Sequence, residues 1–144
     1  MERLVRVFFG ALIGTSVGAI VIGVSSRIFM RVLAYYDGRA PNFSWSGSLE
    51  VMIYGSLVGG LSGLVYSVLR ATGVAKFRMR GLGWGLVTYL TTLLTLPAHI
   101  AETAAPFSEI MVFVHLGFGV FFLAFGYLLS LAFIIADGGQ VLET

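Results

Sequence analysis

Four apolar stretches, roughly 7–26, 51–69, 82–100 and 110–136, dominate this chain of 144 residues. A helix needs about 20 apolar residues to cross a bilayer core about 30 Å thick, and each stretch is near that length or beyond it. Composition leaves no other solvent for them. Hydrophobic residues make up 58% of the chain and charged residues 11%, more apolar side chain than one water-soluble core of this size can hide. The expectation is an all-α polytopic membrane protein: a single transmembrane domain over 1–144, built as a four-transmembrane-helix bundle with Gly-rich helix packing.

The polar breaks at 27–50, 70–80 and 101–109 are each too short to form a second domain. The last contains Pro106 and reads as a tight turn. Short turns force neighbouring helices antiparallel, so the third and fourth helices are expected to form a hairpin. Arg3, Arg6, Arg70, Lys76, Arg78 and Arg80 fall on one side, against Arg27, Arg31 and Arg39 on the other. The positive-inside rule then places both termini in the cytoplasm, with a bacterial inner (plasma) membrane as the expected location. The net charge of +2 is accordingly a topology signal, and nucleic acid is not an expected partner. The first apolar run is longer than the core of a secretory signal and lacks a small-x-small exit, so it is expected to be retained. The absence of Cys excludes disulfides and thiolate metal sites.

Phe9 to Val21 reads FGALIGTSVGAIV and Tyr54 to Tyr66 reads YGSLVGGLSGLVY, each with Gly at i, i+4 and i+8. Lipid supplies no hydrophobic force between helices, so their association depends on close van der Waals contact, and Gly at every fourth position opens a groove for another backbone. Gly10, Gly14 and Gly18 form such a groove on the first helix, and Gly55, Gly59 and Gly63 on the second. Each groove suits either a helix of the same chain or one of another subunit. Gly81, Gly83 and Gly85 form a GxGxG run with no preceding strand, which excludes a dinucleotide fold.

Along the third helix Thr88, Thr91, Thr92, Thr95, His99 and Glu102 recur at steps of three and four, forming one polar face. Thr hydroxyls that bond back to the preceding turn make this a packing face; the alternative is the lining of a polar cavity. His115 lies inside the fourth span, where an ionisable side chain is a functional candidate by default. His99 and His115 stand at similar depths on either side of Pro106, the arrangement a bis-histidine haem needs. No motif requires a cofactor, and haem on these two residues is the one alternative. Arg27 and Arg31 are one helical turn apart. They either reach toward headgroup phosphates within an aromatic belt of Tyr35, Tyr36, Phe43 and Trp45, or Arg27 turns inward and makes an electropositive vestibule with His99 and His115.

Gly47-Ser-Leu-Glu-Val-Met-Ile-Tyr-Gly-Ser and Gly85-Leu-Val-Thr-Tyr-Leu-Thr-Thr, with Arg27 after the first helix, resemble in outline the small four-helix fluoride-export channels. Met52 stands where that family carries a pore Asn, and Thr92 where it carries a second Phe. The resemblance implies a dual-topology dimer with anion pores, whereas the charge bias argues for one orientation. There is no P-loop, HExxH or nucleophile elbow, so an enzyme is not expected. Small size and Gly-rich helices suit an accessory or structural subunit, an assembly partner of a larger membrane complex. The alternative is a homo-oligomeric small-anion channel or transporter. The expected partners are the lipid bilayer and other membrane protein subunits, or further copies of the chain.

Overall fold

The computed structural model describes residues 2–36, 38, 44–72, 79–95 and 109–136. These are almost wholly helical, with no strand among the described residues. A long N-terminal rod consists of α1 (Glu2–Gly18), a π-helical turn (Ala19–Val24) and α2 (Ser25–Tyr36), followed by α3 (Trp45–Ala71), α4 (Met79–Thr95) and α5 (Glu109–Ala136). Three segments, Val7–Tyr36, Trp45–Ala71 and Val112–Ala136, are long and apolar enough to cross a membrane, the signature of an integral membrane protein. α4 has 17 residues; the rest of the third apolar stretch, 96–100, lies outside the described residues.

Much of what reads as a polar connection at 27–50 is helix. Ser25, Ser26, Arg27 and Arg31 interrupt the hydropathy but not the backbone, because Arg, Met, Leu and Ala are good helix formers and no Gly or Pro intervenes before Gly38. Gly38 then takes φ 67° and its N–H bonds to the Tyr35 carbonyl at 3.1 Å, a left-handed stop that a side chain would strain. α3 opens on an N-cap: Ser44 is extended, and its Oγ accepts from the Gly47 N–H at 3.2 Å. It closes with the Thr72 N–H on the Val68 carbonyl and the Thr72 hydroxyl on the Leu69 carbonyl.

The helices form two antiparallel pairs. The N-terminal rod lies along α3, α4 lies along α5, and the pairs meet chiefly where α5 touches the rod; α3 and α4 touch only briefly. Glycines mark the closest approaches. A Cβ built on Gly14 would stand 2.8 Å from the Gly63 Cα and would also meet the Gly59 carbonyl oxygen. One on Gly59 would stand 2.7 Å from the Gly18 Cα, and one on Gly63 2.7 Å from the Gly14 Cα. Between α4 and α5, a Cβ on Gly126 would lie 2.7 Å from the Gly85 Cα.

The π turn keeps the rod's glycines in line. Gly18 and Gly23 are five residues apart, and five α-helical residues overshoot a full revolution by about 140°, which would swing Gly23 away from α3. The wider turn restores the phase, so that a Cβ on Gly23 would sit 2.9 Å from the Met52 Cα.

Between the two pairs lies a core of Ile22, Tyr66, Phe122, Phe125, Leu129 and Phe133. Tyr66 packs against Trp84 and Phe133 with ring centroids 6.0 and 5.5 Å apart. Higher on α5, Phe29 sits over Gly117 and contacts Phe113, Phe118 and Phe121 at 5.8, 5.8 and 5.5 Å. Phe8, Ile20, Leu57, Leu61, Leu116 and Ile135 point outward and exposed, a surface suited to lipid.

Candidate functional site

The polar face of α4 divides into two strips. Thr88 and Thr92 are buried, while Thr91 and Thr95 are exposed. All four hydroxyls bond back along the helix: Thr88 to the Trp84 carbonyl at 2.9 Å, Thr91 to Val87 at 2.9 Å, Thr92 to Thr88 at 2.8 Å and Thr95 to Thr91 at 2.9 Å. A Thr side chain in an apolar medium has no better nearby acceptor than the carbonyl one turn back.

Where α3 and α4 touch, these bonds close into a ring. The Trp84 indole Nε1–H donates to the Ser62 Oγ at 2.7 Å, and the Ser62 and Thr88 hydroxyl oxygens are 3.0 Å apart. Thr88 spends its only proton on the Trp84 carbonyl, so Ser62 must be the donor to Thr88. Each proton in the ring therefore has an acceptor. Removing one member leaves the others with unmet bonds. Ser62→Ala should destabilise the chain by about 1 kcal/mol. Adding Thr88→Val should cost less than the sum of the two single changes, because both break the same ring; unfolding in detergent measures this, and full additivity would dissolve the ring.

Arg27 is half-buried and turned toward α3. Its Nε donates to the Ser48 Oγ at 3.1 Å and its Nη2 to the Ser44 carbonyl at 3.4 Å. His115 is exposed on α5, and its backbone carbonyl accepts the Tyr89 hydroxyl at 2.9 Å, tying α4 to α5. His99 and Glu102 lie outside the described residues. Of the candidate cavity residues, then, Thr88 and Thr92 share the buried face of α4, and Arg27 belongs to the start of α3. Of the packing candidates, Gly14, Gly18, Gly55, Gly59 and Gly63 face one another across the rod and α3, and Gly10 faces Ser67 on α3, with a built Cβ 2.6 Å from the Ser67 Cβ.

Several participants do not stand out in the sequence. Ser62 sits among the α3 glycines and Trp84 between Gly83 and Gly85, where each reads as an isolated residue in an apolar run. Gly126 lies on α5 with no glycine four residues away on either side. Ser26, just beyond the π turn, is 2% exposed, and its Oγ has no hydrogen-bond partner.

No family model, curated protein or solved structure matches the chain.

Proposed function

We propose that this chain is an accessory or structural subunit of a larger membrane complex. The observation that carries the reading is the interior between the helix pairs, which is filled by Tyr66, Phe122, Phe125, Leu129 and Phe133 and whose central hydroxyls bond to one another and to Trp84. An interior packed in that way, with no titratable side chain other than Tyr66 among the described core residues, leaves the outer surfaces to meet other proteins. In this reading α4 is the fourth span, short and supported by α5. The Gly-lined approaches do what small residues do in lipid, letting backbones close to van der Waals contact. The excess of Arg and Lys near the N-terminus and at 70–80 supports a reading in which both termini face the cytoplasm of a bacterial inner membrane.

A second reading, a homo-oligomeric anion channel, draws on a different observation. Thr91, Thr95 and His115 are exposed, so a polar lining would form between copies of the chain. The resemblance to fluoride-export channels supports the same arrangement.

One preparation tests both readings. Chains tagged at each terminus should resist labelling from outside intact cells, while a Cys introduced at Trp45 should label. Extraction in mild detergent should then bring down foreign membrane subunits in fixed ratio. A pure homo-oligomer, with chloride or fluoride flux in liposomes that His115→Phe abolishes, would reject the subunit reading and select the channel. Molecules found in both orientations would point the same way.

A further inference from the structure

We propose that α2 is a hinged arm that pivots beyond the π turn and opens the outer end of the helix interior, a device separate from the subunit role proposed above. Burial is the first sign of it. Among the twelve residues of α2 the one that is buried is Ser26, 2% exposed, and its Oγ has no hydrogen-bond partner. Ile28, Val32, Tyr35 and Tyr36 are exposed, and α2 gives no side chain to the buried apolar core. A segment with so little buried apolar surface lies at the low end of local stability. A buried hydroxyl without a partner also costs free energy. That cost falls on the closed arrangement alone, because an arm swung outward gives the Ser26 hydroxyl to water.

The pivot lies where the winding changes. Helices bend sharply at π turns, which recur at functional sites. Gly23, near the end of the turn, is closed on α3, with a built Cβ 2.9 Å from the Met52 Cα. The turn itself therefore stays with the bundle, and movement begins beyond it. Arg27 and Phe29 tie the arm down on either side of this start. The Arg27 guanidinium donates to the Ser48 Oγ at 3.1 Å and to the Ser44 carbonyl at 3.4 Å, both at the beginning of α3. The Phe29 ring fills the notch over Gly117, among Phe113, Phe118 and Phe121 of α5. Both ties stand within three residues of Ser26. Releasing them lifts Phe29 off Gly117 and admits water to the Ser26 hydroxyl, while α1, closed on α3 through Gly14 and Gly18, keeps its place.

The chain has no Cys, so a single one introduced at Ser26 reports its own exposure. The full chain in detergent is treated with a neutral, water-soluble maleimide, and the labelling rate is compared with that of Ser67→Cys, a site 3% exposed where α3 meets Gly10 of the rod. Ser26→Cys should label about tenfold faster or more, since the arm opens well short of global unfolding. Adding Phe29→Ala should speed labelling at 26 by about tenfold again, through loss of the ring from its notch, and leave the rate at 67 unchanged. Arg27→Met, which removes the bonds to Ser48 and Ser44, should act in the same direction, and it carries the test should Phe29→Ala fail to fold. Spin labels at the exposed Tyr35 and Leu57 should give a second, longer distance whose share grows in either variant. Labels at the exposed Phe8 and Leu57 should keep one distance. Equal rates at 26 and 67 would mean that α2 opens only when the whole chain unfolds. That result overturns the proposal, as does an unchanged rate at 26 in folded Phe29→Ala and Arg27→Met, or a single Tyr35–Leu57 distance in every variant.

Discussion

Gly59→Ala is expected to destabilise the chain by about 3 kcal/mol or more, while Gly60→Ala, one residue on, stays within about 1 kcal/mol of wild type. The contrast comes from what each added methyl would meet. At Gly59 it would run into the Gly14 carbonyl oxygen and stand 2.7 Å from the Gly18 Cα. Both are backbone atoms, so only separation of the rod from α3 relieves the clash. At Gly60 the nearest atom is the Thr15 Oγ1 at 2.6 Å, the tip of a side chain that can rotate, and the next atoms are 3.8 Å away. Ala also has the better helix propensity, by up to about 1 kcal/mol, which offsets that adjustment. Reversible unfolding in mixed detergent micelles gives both values. Similar losses at the two positions would mean that the glycines act through helix propensity alone, and that the close approach has no energetic role.

The three long helices were legible because lipid imposes one simple demand, a sustained apolar run, and 7–26, 51–69 and 110–136 meet it. The continuation of the first helix to Tyr36 was not. Hydropathy reports the solvent around a segment, and Arg27 and Arg31 change that solvent without breaking a hydrogen bond of the backbone. The four-residue spacing of Gly picks out a face of each helix but names no opposing one; it is the fold that puts Gly14 beside Gly59 and Gly63, and Gly18 beside Gly55 and Gly59. Nor does spacing reveal the π turn, since Gly23 looks out of phase unless the winding changes. The Thr stripe shows the limit of periodicity at the site. Its members cover about 100° of the helix circumference, and the edge of the buried face cuts through it, leaving Thr88 and Thr92 inside and Thr91 and Thr95 outside. Ser62 and Trp84 were illegible for another reason: their significance is a contact between residues 22 apart, and a single sequence carries no sign of it.

The run Gly81-Leu-Gly-Trp-Gly85 sets up the companion prediction, on the α4–α5 pair. Gly126→Leu should destabilise the protein by about 3 kcal/mol or more, and Gly83→Leu should be close to neutral. A Cβ on Gly126 would stand 2.5 Å from the Gly85 nitrogen and 2.7 Å from its Cα, and would abut the Gly81 carbonyl oxygen; one on Gly83 would meet nothing within 4 Å. Two of the three glycines in the run therefore serve the contact with α5, and the middle one faces open space. Separation of α4 from α5 has a second, local consequence. The Tyr89 hydroxyl would leave the His115 carbonyl, now 2.9 Å away, and Trp84 would shift from Tyr66, now 6.0 Å away between ring centroids. The emission of Trp84, isolated by Trp45→Phe, should respond to Gly126→Leu and not to Gly83→Leu. That readout separates a splayed helix pair from a general loss of stability. Equal tolerance of Leu at 83 and 126, with unchanged Trp84 emission, would mean that α4 is held by its side chains and that the backbone approach at Gly126 is incidental.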